Sequence, residues 1–237
     1  PTLISAAADD LREALSTIGS ATRLAGPARI LGAHLEGPFL SPARCGAHEP
    51  LHLRRPDLDL AASFLLAGCP VTTVTLAPEL DGAEELIEAL AERGILVSVG
   101  HSDATAAQAH AAFDLGGRTV THLFNAMRPF SHRDPGIVGV ALGRSDVTPM
   151  LIADGVHVAP DAILLTWRAA RGRLVLVSDA IAAAGIGDGA FTLGAHEVVV
   201  EHGISRRGDG TLAGATRPLA WGLRMLVELG VPIVEAV

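Results

Sequence analysis

Short runs of apolar and β-branched residues alternate along this chain with longer Ala- and Leu-rich segments whose charges fall at helical spacing. That is the pattern of repeated β-α units. The strand-like runs are Arg29 to Leu35, Thr72 to Leu76, Ile95 to Val99, Thr119 to Leu123, Met150 to Ala153 and Leu174 to Val177. Helices are predicted between them at 57–68, 81–93, 104–115 and 160–171, several opened by Asp, Ser or Pro, as in Asp81-Gly82-Ala83-Glu84 and Ser102-Asp103-Ala104-Thr105. From Phe191 to Ile204 the rhythm changes to a short hairpin with Gly189, Gly194 and Gly203 at its turns, and Pro218 to Leu229 returns to helix. No repeat of fixed period interrupts this order. Near-continuous apolar strands separated by helices require a parallel sheet covered on both faces, either doubly wound or closed as a (β/α) barrel.

At 237 residues the chain can bury one substantial α/β core. Eighteen basic and 26 acidic side chains give a formal charge of −8, which repels nucleic-acid backbone and anionic lipid. Neither nucleic acid nor membrane is an expected partner. Every basic residue is Arg, so Schiff-base chemistry, lysine-anchored pyridoxal phosphate and the phosphate-binding P-loop are excluded. Cys45 and Cys69 form no C-x-x-C pair, which leaves no thiolate zinc cluster and suits a reducing compartment. The stretch from Leu60 to Pro78 is uncharged, but Ser63, Gly68, Pro70 and the threonines at 72, 73 and 75 read as a helix end and a strand rather than a membrane span. No secretory leader pattern opens the chain, and a cytoplasmic protein is the expectation.

Open α/β sheets and β/α barrels place ligands at the carboxyl ends of their strands. The first strand ends in His34-Leu35-Glu36-Gly37-Pro38, the third in Gly100-His101-Ser102 and the fourth in Thr121-His122-Leu123-Phe124-Asn125. The fifth leads into Ala153-Asp154-Gly155-Val156-His157, and the sixth ends in Val177-Ser178-Asp179-Ala180. Singly, each imidazole or carboxylate has an ordinary structural explanation. Together, two neutral imidazoles and a carboxylate form an open three-ligand set for a divalent metal, which lowers the pKa of a bound water toward ~7. Asp179 is then the group to take the proton of that water and pass it to a leaving amine.

Arg133, on the turn-rich loop Ser131-His132-Arg133-Asp134-Pro135-Gly136, is a candidate for phosphate because a guanidinium donates a planar pair of hydrogen bonds. Asn125 and Ala126 could offer backbone N–H groups to the same anion. A competing reading starts from Val97 to Ala104, which resembles the nucleophile elbow of serine hydrolases with Ser102 as nucleophile and Asp179 with His196 or His202 downstream. Ala104 stands where the elbow needs Gly, and Ser102 suits a helix cap better. A third reading is a sugar-phosphate sensor that uses a metal only structurally.

The motifs His34 to Leu40, Gly46-Ala47-His48, Gly100 to Thr105, Thr121 to Met127, Ala153 to His157 and Ser178-Asp179-Ala180 together resemble the N-acetylglucosamine-6-phosphate deacetylase family of the amidohydrolase superfamily. The resemblance runs from near Pro1 to near Val237, and each motif is only moderately specific alone. It implies a TIM-like (β/α)8 barrel that hydrolyses the acetamido group of N-acetyl-D-glucosamine 6-phosphate to glucosamine 6-phosphate and acetate. By the same resemblance Glu36, His101 and His122 are metal ligands for zinc or iron, and Asp179 is the acid/base. Ala47, His48, Asn125, Ala126, Arg133, His157 and the Leu212-Ala213-Gly214 loop contact substrate, with His157 placed to polarise the amide carbonyl. In the family the position of Arg133 reaches the site of a neighbouring subunit, so the resemblance implies a homodimer.

Family members are longer. They begin with a small β-sandwich and a first barrel strand that often ends in His-x-His. Aligned on its motifs, the chain begins at the end of barrel strand two, and its six predicted strands are strands three to eight. The expectation is therefore that residues 1–237 form a partial barrel, without the sandwich and the first barrel strands. A barrel opened in this way exposes two strand edges, and the segment expressed alone should be poorly soluble or inactive.

Overall fold

Seven strands pair side by side in the order in which the chain makes them. They are β1 (Thr2–Ile4), β2 (Ala33–Glu36), β3 (Val71–Leu76), β4 (Leu96–Val99), β5 (Gly117–Val120), β6 (Thr148–Ile152) and β7 (Val175–Val177). All pairings are parallel, with Thr2 opposite His34, Val74 opposite Val97 and Leu151 opposite Leu176. A doubly wound sheet reverses its order at a switch point. This sheet does not, and of the two predicted architectures it is the curled part of a TIM-like barrel. The computed structural model describes residues 1–237 except 25 and 27.

The crossovers carry α1 (Ala8–Ala21), α2 (Leu58–Leu65), α3 (Ala83–Glu92), α4 (Ala106–Asp114), α5 (Gly136–Gly143) and α6 (Pro160–Ala169). After β7 the chain makes an antiparallel sheet of β8 (Gly189–Leu193), β9 (His196–Glu201) and β10 (Ile204–Arg207), then α7 (Leu219–Glu228) and α8 (Ile233–Ala236). Crossover helices α1 and α3 each turn one stripe to the core. In α3 that stripe is Ala83, Leu86, Ile87 and Leu90, the 3–4 spacing of an amphipathic helix. Phe39, Phe64 and Phe113 are the largest side chains fully buried in the same apolar cluster. The Asp57 carboxylate accepts the Leu60 N–H at 2.7 Å to start α2, and Thr105 with Gln108 forms a capping box on α4.

The differences from the sequence expectation have local causes. α1 and α5 lie outside the expected helices, while β1 is the strand end with which the chain was expected to begin. α5 is Gly136-Ile137-Val138-Gly139-Val140-Ala141-Leu142-Gly143, apolar on every side, and periodicity cannot assign such a run. The strand expected from Arg29 begins only at Ala33, and the one expected to run to Leu123 stops at Val120 because His122 turns into a left-handed conformation. The excursion read as a hairpin has a third strand. Ser102 is not the cap of α4, a role that Thr105 fills. Residues 60–78 divide between α2 and β3, and among the described residues no helix is long and apolar enough to cross a membrane.

Leu11, Leu15 and Gly19 are the buried stripe of α1. A Cβ on Gly19 would overlap the Gly68 carbonyl, so here the glycine permits a close approach between α1 and the turn leading into β3. Gly19→Ala is expected to lower stability by about 1–3 kcal/mol through overpacking. The midpoint of urea unfolding measures it, and an unchanged midpoint would show that the two segments separate without cost.

Candidate metal centre and active site

The carboxyl ends of the parallel strands open onto a cavity of about 420 Å³ lined in part by Glu36, His48, His101, His122, His157 and Asp179. Glu36 ends β2, His101 follows β4, His122 follows β5 and Asp179 follows β7. His101, His122 and Asp179 have φ of 47°, 32° and 49°, the left-handed region that costs a non-glycine residue of order 1 kcal/mol or more. Three such residues on one edge are an observed strain that turns each side chain over the strand end.

Neighbouring turns hold them there. Ser102 N–H donates to the Ala126 carbonyl at 3.1 Å, and Arg128 N–H returns a bond to the Ser102 carbonyl, zipping the His101 turn to the His122 turn. Glu79, after β3, accepts from the Ser102 hydroxyl and the Asp103 N–H at 2.6 Å each. Arg44 and Arg128 both reach the Asp103 carboxylate, and Arg128 continues to Asp134 at 2.7 Å. Beneath the site, hydroxyls link His34, Thr75, Thr121 and Ser98 at 2.7, 2.7 and 2.5 Å.

At the centre, Glu36 Oε1 lies 2.9 Å from Nε2 of both His101 and His122, and these two nitrogens are 3.0 Å apart. The three groups are 4–5 % exposed. Three lone-pair atoms forming so small a triangle need a shared cation or a shared proton. A tetrahedral shell around zinc has ligand-to-ligand edges of roughly 3.3 Å, so the set fits a divalent ion with slight expansion. His101 Nδ1 faces the Arg44 carbonyl at 3.0 Å. It must donate there, which leaves Nε2 as a lone pair aimed at the centre.

Glu36, His48 and His101 also lie close enough to hold an ion. The hydrogen bonds favour His122 over His48 as third ligand. His48 Nδ1 accepts the Ser5 N–H at 3.2 Å, so its neutral ring carries the proton on Nε2, and that atom is 3.9 Å from Glu36. His48 can donate to a ligand in the cavity. It is poorly prepared to bind a cation.

The charges of the site are interdependent. Burial alone would raise the Glu36 carboxyl, but the imidazoles of His101, His122 and His48 gathered around it hold it well below the usual carboxylate range. Burial lowers His101 to about 4. Burial opposes protonation of His122 as well, but the Glu36 hydrogen bond and the charges of Glu36 and Asp179 raise it to about 9. Burial, then the Glu36 charge, raises Asp179. A carboxyl group shifted toward neutrality is suited to exchange protons there.

Ala47, His48, Asn125, Ala126, His157, Leu212 and Gly214 line the cavity with Glu36, His101, His122 and Asp179. Two of the expected substrate residues do not. Ala213 is fully buried, and Arg133 is exposed outside the cavity. Ser102 is fully buried with its hydroxyl bound to Glu79, while His196 pairs with Glu49 at 3.0 Å and the His202 N–H bonds Asp188. No Ser-His-Asp triad is assembled from these residues, which removes the serine-hydrolase reading. Sequence reasoning missed Glu79, Arg44 and Asp103 as supports of the His101 turn, and Asp154 as the partner of His157. Glu79 carried only the signal of following a strand.

No protein-family model matches the chain. It is 39 % identical over 240 residues to an N-acetylgalactosamine-6-phosphate deacetylase of Escherichia coli O157:H7, covering all of this chain and 64 % of that protein. It is 43 % identical over 241 residues to an N-acetylglucosamine-6-phosphate deacetylase of Rattus norvegicus, covering 96 % of this chain and 58 % of the relative. A solved variant of the Mycobacterium smegmatis N-acetyl-D-glucosamine-6-phosphate deacetylase, in complex with N-acetyl-D-glucosamine-6-phosphate, superposes with a TM-score of 0.93 at 40 % identity over 99 % of this chain and 62 % of its own. The chain thus spans about three fifths of the length of these relatives. Over that span, the sequence and the course of the barrel are similar to those of the N-acetylglucosamine-6-phosphate deacetylases.

Proposed function

We propose that the protein hydrolyses the acetamido group of N-acetyl-D-glucosamine 6-phosphate, releasing acetate and D-glucosamine 6-phosphate. The observation that carries this reading is the convergence of Glu36 Oε1 and the Nε2 atoms of His101 and His122 within 3.0 Å in a cavity that also contains Asp179. These three side chains would hold one divalent ion, zinc or iron. When bound, it supplies a Lewis acid and an acidified water. Asp179 accepts the proton of the attacking water and delivers it to the amine nitrogen as the C–N bond breaks. His157 donates to the amide carbonyl oxygen, where negative charge gathers. His48, with its proton on Nε2, donates to substrate oxygen, and the Leu212-Ala213-Gly214 loop walls the sugar.

The phosphate is read by Asn125 and by the Ala126 backbone N–H. Arg133, exposed on its own subunit, completes that contact in the site of a second copy, so the protein acts as a homodimer. A sugar-phosphate substrate and two unpaired thiols suit a cytoplasmic enzyme. The full-length protein, stripped with a chelator and reloaded with Zn²⁺ or Fe²⁺, is expected to release acetate and a free amine in equal amounts from this substrate. A reloaded protein that binds the sugar phosphate without turnover overturns the reading and makes it a sensor. The E. coli relative favours one second reading, that the 4-epimer is the better substrate. The same assay with the galactosamine derivative decides between them by kcat/KM.

A further inference from the structure

Asp154 is a buried carboxylate whose hydrogen bonds go to Val156 and His157, two of them to His157. It follows β6, and its side chain is 9 % exposed. Oδ1 accepts the backbone N–H groups of Val156 and His157, each at 2.8 Å, while Oδ2 lies 2.7 Å from His157 Nδ1. Burial alone would raise its pKa, but these bonds outweigh that and hold it below the ordinary value. An ionised carboxylate can only accept, so the proton of this contact sits on Nδ1. The remaining polar atom of the ring is Nε2, and the ring lines the cavity. Asp179, at the adjoining strand end, lines the same cavity.

We propose that Asp154 is a positioning residue for His157. It keeps a proton on Nδ1, presents Nε2 to the substrate and offsets the charge that the ring takes on when a second proton, on Nε2, donates to the acetamido carbonyl. The proposal rests on the deacetylase reading for its substrate, but its first part concerns this chain alone. A charge-assisted donor is about twice as strong as a neutral one, and its advantage grows as negative charge develops on the oxygen. No bond of the protein is made or broken by Asp154. The proton that His157 shares with the carbonyl oxygen returns to Nε2 when the tetrahedral centre collapses.

The test is Asp154→Asn in the metal-loaded full-length protein. Asn keeps an oxygen for the two backbone N–H groups, so the turn survives, but it aims an N–H at Nδ1 and drives the ring proton to Nε2. In the wild type, ¹⁵N spectra of the imidazole are expected to show Nδ1 protonated at neutral pH. In the variant they should show Nδ1 bare. kcat should fall about 10–100-fold with KM changed less than about threefold. In a His157→Gln background, adding Asp154→Asn should cost nothing further, since Asp154 acts through the ring.

A bare Nδ1 in the wild type overturns the proposal whether or not any variant folds. A kcat within about twofold of wild type, or a full additional loss in the His157→Gln background, overturns it as well. Wild-type protein that shows the protonated Nδ1 yet releases no acetate sinks the deacetylase reading and the catalytic half of this proposal, while supporting the positional half.

Discussion

Asp179→Asn in the full-length, metal-loaded protein is expected to reduce acetate release about 10²–10⁴-fold, the usual contribution of a positioned acid/base. Asn is nearly isosteric with Asp and can occupy the same left-handed position, which it tolerates well. It can neither accept the proton of the attacking water nor hand it to the amine. The effect should therefore appear in kcat, with sugar-phosphate binding measured by calorimetry nearly unchanged. The pH dependence adds a second readout. Burial and the Glu36 charge raise the Asp179 pKa. A base works only when deprotonated, so wild-type activity should be present above that pKa and lost as pH falls through it. That acid limb should vanish in the residual activity of the variant. Full activity in Asp179→Asn would falsify the assignment of proton transfer to this strand end.

What sequence could and could not reveal follows from where each kind of information resides. Glu36, His101, His122 and Asp179 were legible because strand ends in a parallel sheet share one edge, and apolar runs mark the strands without reference to tertiary contacts. The observed 2.9–3.0 Å triangle is the three-dimensional form of that linear pattern. Position on an edge was not enough for every residue. Arg133 sits on an exposed loop, and Ala213 is fully buried, because a loop's course depends on what it packs against. The supports of the site were also invisible. The Arg44 carbonyl that fixes the His101 tautomer is a backbone atom, and Glu79 is separated from Ser102 by 23 positions. Asp154 was visible in its motif, but its three hydrogen bonds appear only once the turn has folded.

Substitution of Glu36 is expected to have the largest effect on metal content. Glu36→Gln keeps the size of the side chain, so the contacts at the end of β2 should survive and the protein should fold. The charge is what disappears. Oε1 touches both imidazoles, and the hydrogen bond and then the charge of Glu36 are the main influences raising His122. Loss of an outer-sphere partner commonly costs 10–100-fold in metal affinity, and loss of an anionic ligand should exceed that. Competition with a chromophoric chelator measures it directly, independent of turnover. Deacetylation should then fall in proportion to lost metal, and high Zn²⁺ should restore only part of it, since a neutral amide oxygen is a poorer ligand than a carboxylate. His48 provides the internal comparison. With Nδ1 engaged by Ser5, His48→Gln should leave metal affinity within about the 10–100-fold range of an outer-sphere change and weaken substrate binding instead. If His48→Gln depletes the metal as severely as Glu36→Gln while His122→Gln does not, the ion is held by the other triangle, and the site must be rebuilt around Glu36, His48 and His101.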